Sequence, residues 1–136
     1  MGLLYALHTM RGENVSAGQL AEEACHVEIG MLKRPIGKQD QYAAAFGGLN
    51  FITFQPDGRV HLDHIWLPDD GAVSLFRNSM LFWTGMQREA GTVLEEQRAD
   101  ITGTSDTLIQ MRDMASVCRD TLLQYPNDPG RLGAIL

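Results

Sequence analysis

Apolar residues in the first third of the chain recur at helical spacing. Residues 3–10 (LLYALHTM) put Leu3, Leu4 and Leu7 on one face and predict a helix, with nothing polar ahead of it to satisfy its first N–H groups. Arg11-Gly12-Glu13-Asn14 breaks it. The strongest helix signal spans residues 16–30. Ser16 and Gln19 form the S-x-x-Q capping pattern, and Ala17, Leu20, Ala21, Ala24, Val27 and Met31 follow at helical steps. Gly30 suits its end. Glu28 lies one turn beyond Ala24, at the edge of the buried face, while Glu22, Glu23 and His26 turn more easily to water. Pro35 and Gly37 deny helix or strand to residues 33–38. A short helix, Gln39 to Phe46, follows and stops at Gly47-Gly48; its consecutive alanines predict close packing on all faces.

The pattern then changes to strands. Residues 49–55 (LNFITFQ) and 59–67 (RVHLDHIWL) flank Pro56-Asp57-Gly58, with Pro at an early turn position and Gly where φ is positive. Pro68-Asp69-Asp70-Gly71 closes the second strand, and residues 79–84 (SMLFWT) predict a further buried strand ended by Gly85. Residues 87–98 predict a helix despite Gly91. Residues 105–124 predict a longer one, with Leu108, Met111, Ala115, Cys118 and Leu122 on one stripe. Pro126 to Gly130 breaks it ahead of an apolar tail. The expected class is α+β, with helices packed on a largely antiparallel sheet.

Composition narrows the setting. The chain has 136 residues, enough for one ordinary domain, and is 44% hydrophobic, too apolar for a disordered segment. No apolar run approaches the roughly 20 residues that span a bilayer. The opening MGLLYALHTMRG lacks the basic start and small-residue cleavage site of a signal peptide. A net charge of −6 with no basic cluster argues against a nucleic-acid partner. Two cysteines, Cys25 and Cys118, cannot staple a scaffold and point to a reducing compartment. A soluble, cytoplasmic chain is expected.

Among candidate chemical groups Asp40 is foremost. It follows a Pro/Gly loop at a helix start, where the helix dipole favours a carboxylate, and such a group accepts or orients a hydroxyl proton. The alternative is a carboxylate that only serves the helix end. Glu28, twelve residues earlier, is a candidate for a divalent ion; the alternative is a rim residue paired with Lys33 or Arg34. Lys38, two residues from Asp40, suits tuning that carboxylate or touching a phosphate. Arg88, after Trp83-Thr84-Gly85, suits phosphate through its forked donors. Each is otherwise a solvated charge. Cys25 and His26 point to different helix faces, and His61 and His64 to opposite sides of a strand, so no zinc site is expected. Neither G-x-x-x-x-G-K-[ST] nor G-x-G-x-x-G occurs.

The stretch Pro35-Ile36-Gly37-Lys38-Gln39-Asp40-Gln41-Tyr42-Ala43-Ala44-Ala45-Phe46-Gly47-Gly48-Leu49-Asn50-Phe51 resembles the segment of the GHMP kinases that carries their catalytic aspartate. Within that superfamily it is most similar to the kinases of D-glycero-D-manno-heptose 7-phosphate. Leu81 to Arg88, followed by Val93-Leu94-Glu95-Glu96-Gln97, matches a second stretch of the same group. The resemblance implies ATP-dependent phosphoryl transfer to the anomeric hydroxyl of the sugar, with ATP and Mg2+ as cofactors. Galactose or fucose is an alternative acceptor, and a non-catalytic remnant that binds sugar phosphate is a further alternative.

By position, Asp40 matches the family aspartate that activates or orients the acceptor, and Glu28 an acid near magnesium. Lys38, Gln39 and Arg88 become substrate contacts, Arg88 to the 7-phosphate. The resemblance also implies part of a two-domain fold, with residues 1–79 in the N-terminal domain and 80–136 starting the C-terminal one. Two glycine-rich segments of the family have no counterpart here, so the expectation is an internal piece of a kinase that does not turn over by itself. Leu3, Leu4, Leu132, Ile135 and Leu136 would then be apolar ends that favour self-association. No membrane partner is expected.

Overall fold

The computed structural model describes residues 1–85 and 101–136. Helix α1 (Gly2–Met10) leads to α2 (Ala17–Cys25), which runs on as a π-helical turn, His26–Met31. Helix α3 (Gln39–Phe46) precedes the hairpin β1 (Asn50–Phe54) and β2 (Val60–His64). Helices α4 (Asp69–Arg77), α5 (Ile101–Gln124) and α6 (Pro129–Gly133) complete the described chain. Helices with a two-stranded antiparallel sheet agree with the expected α+β class.

The local signals explain most of these elements. Ser16 accepts from the Gln19 backbone at 3.2 Å while the Gln19 side chain accepts from the Ser16 N–H at 3.0 Å, a complete capping box. Helix α1 has no side-chain cap, and Leu3 and Leu7 are exposed. The helix over 16–30 does not stop at Gly30: the final turn widens to π geometry and closes after Met31. Gly47 ends α3 at φ 61°, ψ 179°, a combination that only glycine adopts comfortably.

In the hairpin, Asn50 faces His64 and Phe54 faces Val60, and Gly58 takes φ +86° after Pro56-Asp57 as the turn requires. The core is small. Ala21, Cys25 and Tyr42 are buried together, with Ile29, Ala45, Ile52, Val60 and Leu62 packed around them. Alternation along β1 sends Ile52 to this cluster and Phe51 to the other face, where the Arg119 guanidinium of α5 lies 4.5 Å from its ring centre.

Several expectations fail. Residues 79–84 form no strand; Met80, Leu81, Phe82 and Trp83 are irregular and exposed. Among the described residues β1 and β2 pair only with each other, and this apolar run does not add to the outer edge of either. Pro68 to Gly71 is not merely a turn but opens α4, whose Ala72, Leu75 and Phe76 share a face at helical spacing. Gly71 is closely approached there: a Cβ would sit 3.1 Å from the Pro126 side chain, which would have to give way. Helix α3 is not packed on all faces, for Gln41 and Tyr42 are buried while Ala43 and Ala44 are exposed. A single small core can cover only one side of it. The α5 stripe is half used, with Leu108 and Met111 exposed and Cys118 and Leu122 partly covered. The helix predicted over 87–98 lies outside the described residues.

Candidate functional site

The loop over residues 33–38 turns the chain from α2 into α3. Lys33 accepts a left-handed φ of 53°, and the Arg34 N–H donates to the Glu28 carbonyl at 3.0 Å. This delivers Asp40 to the first turn of α3, where it is exposed and has no side-chain hydrogen-bond or ion-pair partner among the described residues. An unpaired carboxylate at the positive end of a helix dipole is free to accept a hydrogen bond from a ligand. Gln39 is exposed beside it.

Lys38 is not directed at Asp40. Its ammonium donates to the Gly58 carbonyl at 3.2 Å and lies 3.5 Å from Glu22, so it ties the start of α3 to the hairpin turn and to α2. Glu22, which the pattern sends to water, is the hub of this contact, because the Tyr42 hydroxyl donates to the same carboxylate oxygen. Burial first, and then the bond to Glu22, pushes the Tyr42 phenol well above its ordinary range. Burial also raises the Cys25 thiol, with the nearby Glu22 charge adding to it. Both groups therefore stay protonated at neutral pH and serve packing.

Glu28 sits half-buried on the π-helical turn, and its carboxylate accepts a 2.8 Å bond from the side-chain amide of Gln41. It forms no ion pair with Lys33 or Arg34, contrary to the rim-residue alternative. Gln41 follows Asp40 in the chain, so it joins the Glu28 turn to the Asp40 turn. The Gln41 carbonyl oxygen is buried with no hydrogen-bond partner. Arg88 lies outside the described residues. The structure thus brings Lys38, Gln39 and Asp40 into one turn and links Glu28 to that turn through Gln41.

Sequence reasoning missed Gln41, Tyr42 and Glu22 as partners. The available signal was modest: Tyr42 and Phe46 stand one turn apart, and their rings stack at 6.1 Å. No group of three or more His, Cys, Asp or Glu that could hold a metal occurs among the described residues. Nor is any described helix long and apolar enough to cross a membrane.

Pockets flank this region. One of about 390 Å³ is lined by Gly48, Leu49, His64, Trp66 and Phe76 among others. Another of about 360 Å³ lies between α1, α2 and α3, touching Tyr5, Leu20 and Ala44. Asp40 lines neither.

D-glycero-alpha-D-manno-heptose 7-phosphate kinase of Campylobacter jejuni is 32% identical over 83 residues, 61% of this chain and 24% of that protein. Over those residues the chain is similar to a sugar kinase. The match spans about a quarter of that relative's length. No family model matches the chain, and no solved structure matches it.

Proposed function

We propose that this chain carries the acceptor-orienting part of an ATP-dependent sugar kinase of the GHMP type, acting on the anomeric hydroxyl of a heptose 7-phosphate. The observation that supports this most is Asp40: exposed, unpaired and set in the first turn of α3, within a stretch that resembles the catalytic segment of those kinases. In phosphoryl transfer the protein chiefly positions groups and neutralises charge. Asp40 would accept the hydrogen bond of the acceptor hydroxyl and hold that oxygen toward the phosphoryl group. Gln39 would contact the sugar, and Lys38, whose ammonium is engaged by Glu22 and the Gly58 carbonyl, would steady the turn that carries Asp40.

Magnesium fits the residues present. It is commonly held by one or two carboxylates together with substrate phosphates, and Glu28 offers a half-buried carboxylate with one oxygen not engaged by Gln41. When bound there the ion would neutralise phosphate charge. Galactose and fucose are the alternative acceptors.

Titrating heptose 7-phosphate into the chain, with ATP and magnesium present, tests the reading by calorimetry. Saturable binding is expected. Replacing Asp40 by Asn removes a charged acceptor worth about 1.5–3 kcal/mol, so binding should weaken by about tenfold or more. The reading is overturned if heptose 7-phosphate, galactose and fucose all fail to bind, or if the Asn variant binds as tightly as the wild type.

A further inference from the structure

Gln41 is 5% exposed, and only half of its amide is satisfied. Its NH2 group donates to Glu28 at 2.8 Å, and this orientation is required because a carboxylate accepts and does not donate. The carbonyl oxygen is left buried without a donor, an arrangement that ordinarily disfavours folding. A methionine of similar length would fill the same space without an orphaned oxygen. The amide at this position is explained by what its donor end does.

That donor end holds a residue already constrained from two other directions. Glu28 rides on the π-helical turn, a geometry found mostly as single turns and frequently at functional sites. Its backbone carbonyl is fixed by the Arg34 N–H at 3.0 Å. With the backbone pinned and the side chain held by Gln41, the second carboxylate oxygen has a defined place next to the first turn of α3. Partners of this kind commonly change metal affinity by about 10–100-fold when removed.

We propose that Gln41 is a positioning residue: it orients Glu28 from the turn that carries Asp40, so that the carboxylate is preset to receive a divalent cation. The inference rests on the assignment of Glu28 to magnesium under the proposed function.

The test uses the full 136-residue chain and Mn2+ as the probe, monitored by electron paramagnetic resonance with and without ATP, alongside urea unfolding. Gln41→Met and Gln41→Leu are compared with Glu28→Gln and wild type. The expected result is a loss of Mn2+ affinity of about tenfold or more in both Gln41 variants, with an unfolding midpoint equal to or above that of wild type in at least one. Unchanged affinity in the Gln41 variants, with affinity lost in Glu28→Gln, overturns the positioning role and leaves the Glu28 assignment standing. Unfolding of both Gln41 variants also overturns it, for the amide then serves the fold. Equal binding by wild type and Glu28→Gln, or no binding by wild type, removes Glu28 from the cation and the inference with it.

Discussion

Gly48 joins the helix that carries Asp40 to the first strand, and replacing it by alanine tests how closely that joint is packed. Two costs add. Gly48 has φ +68°, and an L residue in the left-handed region costs about 1–2 kcal/mol. A Cβ there would lie 2.6 Å from the His64 ring, so the imidazole must leave. His64 would then lose its 2.8 Å bond to Asn50 and its edge contact with Trp66, whose ring centre is 4.4 Å away. Both contacts are exposed, so each is worth about 0.5 kcal/mol, the low end of its range. Gly48→Ala should therefore destabilise the chain by about 2–3 kcal/mol in urea unfolding. In a His64→Ala background the steric part disappears, and the same change should cost only the backbone share, about 1–2 kcal/mol. A Gly48→Ala chain within about 0.5 kcal/mol of wild type, or an equal cost in both backgrounds, refutes the reasoning.

Two further predictions concern ionisation. His8 contacts Glu13 at 2.6 Å through one ring nitrogen and Glu23 at 2.7 Å through the other, which needs the doubly protonated ring, and its pKa is raised by Glu23 first and then Glu13. The resulting stabilisation is full below the ordinary value of 6.5 and is lost as pH rises through the raised one, so amide exchange in α1 should accelerate with pH more in wild type than in His8→Gln. A pH profile shared by both chains would count against it. Tyr42→Phe should cost about 1 kcal/mol, since Glu22 is largely exposed and its bond is screened. Because Tyr42 is raised above its ordinary 10.0, wild type should lose stability above that pH as the unfolded chain ionises first, whereas the Phe variant should lack this slope in alkaline unfolding curves.

Local signals carried the first half of the molecule. The Ser16/Gln19 cap and the turn at Pro56-Asp57-Gly58 each act over a few residues, so their spacing in the sequence is sufficient. Long-range pairing is not written that way. Residues 79–84 have the composition of a buried strand, but a strand is defined by pairing with a neighbour, which composition does not encode, and among the described residues this run pairs with neither β1 nor β2. In the candidate site, Asp40 was legible because its setting is a loop-to-helix junction. The attachment of Lys38 to Glu22 and Gly58, and of Gln41 to Glu28, was not, because these residues are 13 to 20 positions apart and their contact depends on how α2, α3 and the hairpin pack together.

The π-helical turn has a consequence for length as well as for chemistry. It holds one residue more per hydrogen-bonded ring than an ordinary helix, and that surplus sets the angular position of Glu28. Deleting Val27 would remove that surplus, let the coil continue in regular winding and carry Glu28 around the helix axis, while residues beyond the turn keep their register. The Gln41 amide would then lose its partner. Variants shortened by one position just ahead of Glu28 would thus break this contact with every other residue in place.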